Sequence, residues 1–285
     1  MRAAIIGANG QLGVELTRSL SGWDSHALSR PACDIRDHAS VRALLTAIGP
    51  AVVVNAAAAT HVDDCERDTQ TAFDVNSRAV WNLACVCADL RVHLVHMSTD
   101  YVFGGEKRTP YAEGDPPNPL NVYGVSKLAG EYFVRNICPR HLVIRTSGLY
   151  GAAGSRGKNG NFIETMARLA AGGGPIRVVD DQVLTPTAAK DVAQHIRRLV
   201  EAGATGVFHV TNGGQCSWFE FAAKIFDLLG LRADLGPTTA AAFGAAARRP
   251  AYSVLAHHQL RAVGLDTLPH WQDALKAYLA ETGRL

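Results

Sequence analysis

In the stretch NVYGVSK, Tyr123 and Lys127 stand four residues apart, just past a proline-rich loop. On a helix, residues at i and i+4 share a face, so a phenol and an ammonium would lie together there. A nearby ammonium favours the phenolate and lowers a phenol pKa from its usual value of about 10. A phenol so placed can give its proton to a carbonyl oxygen. The pair alone decides nothing. With 7 tyrosines and six lysines in 285 residues, such a spacing arises by chance in about one chain in seven, so the surrounding motifs must carry the argument.

A second constellation lies near the start of the chain. The apolar run Ala3–Ile6 enters Gly7-Ala-Asn9-Gly10-Gln11-Leu12-Gly13, and the helix-like VELTRSL follows. Strand, glycine turn and helix in that order predict a diphosphate site. Gly7 makes the turn, Gly10 lets the backbone approach a pyrophosphate, and Gly13 lets the helix pack on the strand. The first amides and the helix dipole then face the phosphates, which brings in Asn9, Gln11 and Leu12. The second strand ends in Ser29 and Arg30 rather than in an acid. A hydroxyl and a guanidinium suit a 2′-phosphate, so the expected cofactor is NADPH, with NADH as the alternative. Asp34 and Ile35 could bond and cover the adenine, and Asp34 could equally cap the next helix. Asn55, Ala56, Ala57 and Ala58 close a later strand with small residues, against which a ribose and diphosphate could lie.

These groups need a scaffold that presents strand ends. Strand-like runs at Ala3–Ile6, His26–Leu28, Val52–Asn55, His93–Met97 and Leu142–Arg145 alternate with helical patterns near 11–21, 38–48, 68–90 and 122–137. That alternation predicts right-handed βαβ units, hence an α/β fold with a Rossmann-type, doubly wound parallel sheet. After residue 150 the rhythm changes to a glycine-rich loop over 151–160, a helix in NFIETMARLAAGG, later strands and a final amphipathic helix. The expected division is a cofactor domain over 1–150, completed by segments from about 185–212, and a smaller substrate lobe from 151–184 and 213–285.

Composition narrows the class. The chain is 47% hydrophobic, 19% charged and carries a net charge of +2. Such a charge gives no field for nucleic acid or an anionic membrane. Six cysteines lack C-x-x-C or zinc spacing, no metal site is expected, and no 18-residue apolar span or signal layout is seen. A cytoplasmic monomer or homodimer with reduced thiols is the expectation.

Taken together and in order, the G-x-x-G-x-x-G turn, NAAAATHVDDCE, Val75-Asn76, STDYVFGG, PNPLNVYGVSKLAGE and RTSGLYG resemble the extended short-chain dehydrogenase/reductase superfamily. Within it the chain is similar to the dTDP-4-dehydrorhamnose reductase family, from residue 1 to about 190 and weakly beyond. The resemblance implies a catalytic Thr99, Tyr123 and Lys127, with the lysine reaching the nicotinamide ribose and Thr99 polarising the substrate carbonyl. It implies NADPH-dependent reduction of a nucleotide-activated 4-keto deoxysugar, with Asn76 in support. Asp100, Tyr101 and Val102 would follow Thr99 into the cleft. Asn161 and Phe162 offer an amide and a ring to the nucleotide, and Arg249 could meet its diphosphate.

Two positions depart from the family pattern. Gly148 stands where an aromatic platform for the sugar is usual, which leaves either Tyr150 to compensate or a pocket open to a different sugar. Ala59 also replaces an aromatic or histidine. Two rivals remain. A dehydratase or epimerase is disfavoured by Thr99-Asp100-Tyr101, which lacks a following Glu, and by Ser29-Arg30. A non-catalytic regulatory subunit of the same fold is opposed by the intact Thr99, Tyr123 and Lys127.

Overall fold

Strand β1 (Arg2–Ile6) points Ala3 and Ile5 to one side of a sheet and Ala4 and Ile6 to the other, all four fully buried. A strand buried on both faces belongs inside an α/β layer structure. In this computed structural model, which describes residues 1–153 and 160–285, β1 pairs in parallel with β2 (Asp24–Leu28) and with β3 (Val52–Asn55). Beyond β3 follow β4 (His93–Thr99), β5 (His141–Thr146) and β6 (Gly206–His209), again all parallel. The order across the sheet is therefore β2-β1-β3-β4-β5-β6. The chain reverses its direction of travel between β1 and β3, and a crevice opens there at the carboxyl ends of the strands.

The helices cover both faces. On one side α1 (Gln11–Ser19) packs beside a helix from much later in the chain, described below. On the other lie α2 (His38–Ile48), α3 (Ala79–Asp89) and α4 (Val122–Ile137), packing Val41, Leu45, Val80, Leu83 and Val134 onto Ala4, Val53 and Val143. The single helix expected over 68–90 is broken into Thr69–Phe73, a π turn over Asp74–Arg78, and α3. The break has a packing cause. A Cβ on Gly130 of α4 would lie 2.4 Å from the Asn76 carbonyl oxygen, so the two elements touch backbone to backbone.

After β5 the chain builds the lobe. The helices that follow are α5 (Phe162–Ala171), α6 (Ala189–Glu201), α7 (Trp218–Leu229) and α8 (Trp271–Glu281), of which α5, α7 and α8 belong to the lobe. Helix α6 returns to the sheet and packs Val192, Ile196 and Leu199 with Leu12 and Leu16 of α1 over Ile5, Val54 and Ile144. Helices α5, α7 and α8 form a separate core around Ile163, Phe221, Ile225, Trp271 and Leu275. Most of the glycine-rich loop predicted over 151–160 lies outside the described residues. Among the described residues no helix is long and apolar enough to cross a membrane.

One buried ion pair fixes the helix that carries Tyr123. Arg145 of β5 is 2% exposed and Glu131 of α4 is fully buried. Arg145 donates from Nε to Glu131 Oε1 at 2.9 Å and from Nη2 to Oε2 at 2.7 Å, and Ser98 Oγ also donates to Oε1. The guanidinium lies over the Phe103 ring. With both charges bonded in this way, removing one leaves the other buried and unpaired, a loss of about 3–5 kcal/mol.

Candidate active site

At the end of β1 the turn is held by its own backbone. Gly7 N donates to Leu28 O at 2.9 Å, and Gly10 N donates to Gly7 O at 3.0 Å. Gly7 has φ +81°, and a Cβ there would lie 2.8 Å from Ala57 N. A Cβ on Gly13 would lie 2.2 Å from Gly7 O. These two glycines are required by the fold itself. Gly10 is less constrained from within, its nearest contact being 3.3 Å away. It is the N-cap of α1, and no side chain caps that helix or puts a negative charge in its first turn. The amides of Gln11, Leu12 and Gly13 thus point outward as anion donors. The cradle fits a diphosphate. Asn9 is half-buried on its rim, while the Leu12 side chain packs into the core, leaving its amide as the part that can bind.

The rim beyond β2 is charged. Ser29 is half-buried and Arg30 is exposed. Asp34, with Arg30 3.8 Å away, is bound more closely by Arg36, which donates from Nη2 at 2.6 Å. That hydrogen bond draws the Asp34 carboxyl down to about 2. Arg36, which the sequence reading did not single out, therefore joins Arg30 in a small cationic rim. Ile35 is buried beneath it among residues of the α2 face.

At the end of β3, Asn55 acts as a buckle. Its Oδ1 accepts from Ala57 N at 3.1 Å, and its Nδ2 faces His96 Nδ1 at 3.2 Å. Ala56, Ala57 and Ala58 remain half-buried at the crevice. Asn76 is fully buried and satisfied internally. Its Oδ1 accepts from Ala59 N, and its Nδ2 donates to Ala59 O and to Ser126 Oγ. It ties the Ala59 loop to the helix carrying Tyr123.

Thr99 is the last residue of β4, opposite Thr146 of β5. Its hydroxyl oxygen accepts from Tyr101 N at 3.2 Å and donates to Asp100 Oδ1 at 3.1 Å. It is also within hydrogen-bonding reach of the Tyr123 phenol. Helix α4 starts at Val122 because Asn121 caps it, its Oδ1 accepting from Gly124 N at 2.8 Å. Glu66 accepts from Val122 N at 2.8 Å, and Asn121 Nδ2 donates to Arg248 O at 2.7 Å. Gly124 has no room for a side chain, since a Cβ would lie 2.3 Å from Tyr101 O. The Tyr101 and Tyr123 rings meet edge to face at 6.1 Å.

Lys127 is 2% exposed, and its Nζ donates to the Met97 carbonyl. Burial lowers it from 10.5 to about 8, with Glu131 one turn further along α4 opposing the shift. The expected lowering of the phenol by this ammonium is not what the structure shows. Burial pushes Tyr123 above the usual tyrosine range, while the Thr99 hydroxyl pulls it down. The lysine is turned toward the sheet. Tyr123 is accordingly held as a protonated donor.

The substrate-side residues are distributed differently. Val102 is wholly buried in a cluster with Phe103, Tyr111 and Leu255. Arg249 donates from Nη2 to Asp63 Oδ2 at 2.8 Å and lies within hydrogen-bonding reach of Tyr101. Asn161 caps α5 in a capping box, and its Nδ2 donates to Gly151 O and to Tyr278 Oη. The Phe162 ring, half-buried, stacks on Phe221 at 5.4 Å against the lobe core. The structure thus brings Thr99, Asp100, Tyr101, Tyr123, Lys127 and Arg249 together and places Asn161 and Phe162 in the lobe's internal packing.

Gly148 requires a correction. It has φ +52°, and a Cβ would lie 2.8 Å from Leu184 Cδ1 and 3.1 Å from Pro186 Cα. The room beside it is filled by residues 184–186 rather than left open for a larger sugar. Tyr150 does not stand in for an aromatic platform either, being buried against Phe221 and Tyr278.

The whole chain matches a known family: residues 1–284 fit the RmlD substrate binding domain. A dTDP-4-dehydrorhamnose reductase of Streptomyces griseus is 40% identical, over 99% of this chain and 95% of its own length. A probable dTDP-4,6-dihydroxy-2-methyloxan-3-one 4-ketoreductase of Streptomyces antibioticus is 44% identical, over 97% and 94%. The crystal structure of dTDP-4-dehydrorhamnose reductase from Bacillus anthracis in complex with NADP has a TM-score of 0.95 at 38% identity, covering 99% of both chains.

Proposed function

The chain belongs to the RmlD substrate binding domain family of extended short-chain dehydrogenases/reductases, and from that membership we propose that it is an NADPH-dependent reductase of a nucleotide-activated 4-keto deoxysugar. The preferred substrate is dTDP-4-dehydro-L-rhamnose, giving dTDP-L-rhamnose. The observation that carries the reading is the convergence of Thr99, Tyr123 and Lys127 at the carboxyl ends of β4 and β5, beside a glycine cradle that fits a diphosphate.

The bound nicotinamide supplies the hydride. The chain supplies position and the proton. Tyr123 gives its phenolic proton to the substrate oxygen as the carbonyl carbon becomes a carbinol carbon, and the phenolate is reprotonated from solvent. A phenol held above its usual pKa in the free site is fully charged with its proton at neutral pH. Lys127, buried on the same helix and bonded to the Met97 carbonyl, is the group available to the nicotinamide ribose. Arg30 and Arg36 are the groups available to a 2′-phosphate, and the cationic rim they form supports NADPH over NADH. The NADP complex of the Bacillus anthracis relative agrees with that choice.

The test is oxidation of NADPH by the purified protein with dTDP-4-dehydro-L-rhamnose. Turnover with that sugar and not with UDP-linked ketosugars is expected. NADPH binding without turnover of any nucleotide ketosugar would reject the reading in favour of a binding subunit.

A further inference from the structure

Asp100 follows Thr99 directly and is 3% exposed, without a cationic partner within ion-pairing distance among the described residues. Three hydroxyls surround its carboxylate instead. Ser147, just past β5, donates to Oδ2 at 2.8 Å, and Ser253 of the lobe donates to the same oxygen at 2.6 Å. Thr99 donates to Oδ1 at 3.1 Å.

A hydroxyl has one proton and two lone pairs. At Thr99 one lone pair accepts from Tyr101 N, and the proton goes to Asp100. Only an acceptor is then left toward Tyr123 and the site, and the downward pull of the Thr99 hydroxyl on the phenol belongs to the other arrangement, in which its proton has left Asp100. Thr99 cannot polarise a substrate carbonyl in that arrangement, because polarisation requires it to donate. It also competes with the substrate oxygen for the Tyr123 proton.

We propose that Asp100 is a positioning residue, whose carboxylate decides whether the Thr99 hydroxyl points its single proton away from the substrate or toward it. With the carboxyl protonated, Oδ1–H donates to Thr99, and the Thr99 proton turns to the carbonyl. With it ionised, the proton turns back. Ser147 and Ser253 both hold Oδ2 and so leave Oδ1 as the atom that exchanges with Thr99. This inference rests on the reductase reading above.

Burial supports a carboxyl that changes charge in the working range, its pKa raised to about 6 against the pull of the three hydroxyls. The ionisable groups facing it are Tyr101 on its own turn and Tyr123 on α4, with Arg249 behind Tyr101. Burial holds both phenols protonated, and Lys127 titrates higher, near 8, against the Met97 carbonyl. The sign follows. Because protonated Asp100 is the productive form, kcat falls as pH rises through its pKa.

The experiment is the pH profile of kcat and of kcat/KM for NADPH oxidation with dTDP-4-dehydro-L-rhamnose, from about pH 5 to about pH 8. In Asp100→Asn the serines hold the amide oxygen and the NH₂ faces Thr99, so the variant copies the protonated acid. Its pH profile is expected to lose the falling limb. In Ser253→Ala the ionised form loses a donor, and the limb moves up by about one pH unit. A limb that persists unmoved in Asp100→Asn, or an absent limb in the unmodified protein, would overturn the proposal. If Asp100→Asn fails to fold, Ser253→Ala decides: an unshifted limb overturns it and an upward shift sustains it. No turnover by the unmodified protein at any pH would instead count against the reductase reading.

Discussion

The two sides of the crevice are made by different means. Around the glycine turn, shape comes from backbone over short spans: Gly7 bonded to Leu28, and Gly13 pressed on Gly7. Around Tyr123, shape comes from side chains that meet across the sequence, as Asp63 does with Arg249, Asp100 with Ser253, and Asn121 with the Arg248 carbonyl. A backbone cradle recognises what dinucleotides share. Side-chain latches to a lobe allow the other wall to be altered without disturbing the cofactor. Selectivity for the sugar is therefore expected to reside in the latched wall.

Substitutions can separate the two sides. The largest effect is expected from Glu131→Ala, which leaves Arg145 buried and unpaired. It should lower the unfolding free energy by about 3–5 kcal/mol in denaturant titration. Next comes Tyr123→Phe, which deletes the proposed proton donor on the latched side. Turnover should fall at least about a hundredfold, about 2.7 kcal/mol, while NADPH titration by fluorescence stays nearly unchanged. Near-normal activity would remove Tyr123 from the acid role.

On the cradle side, Gly13→Ala drives a methyl into Gly7 and should destabilise by about 1–3 kcal/mol. It should weaken NADPH and NADH alike, and a loss confined to one cofactor would show that the cradle reads more than the diphosphate. The smallest effect is expected at the rim. Arg30→Ala should weaken NADPH by about fivefold, about 1 kcal/mol for an exposed charge, and leave NADH unaffected. Equal losses for both would reject the phosphate contact.

The same contrast explains what could be read from the sequence. The glycine turn and the Tyr123–Lys127 helix were legible because each is written in contiguous residues with a fixed period. Residues at i, i+4 and i+8 on α4 are Tyr123, Lys127 and Glu131, but the sequence reading did not single out Glu131, whose partner Arg145 is set by strand pairing. The uses of Asn161 and Phe162 were not legible, because a capping amide and a core ring look like ligand groups until α7 and α8 are in place. Gly148 reads as a missing side chain in sequence, whereas in the fold its position is occupied by the chain at 184–186.

The link from Asp100 to Ser253 spans 153 residues, and it bears on when the site comes into being during synthesis. A chain leaving the ribosome N-terminus first has the glycine turn and its packing partners once α6 and β6 have followed, ahead of residues 247–253. The Asp100 carboxylate and Asp63 have to wait for residues 247–253, near the end of translation. The ability to hold a dinucleotide should therefore be acquired early and the finished proton-donating wall late, so that nascent chains bind cofactor before they can use it.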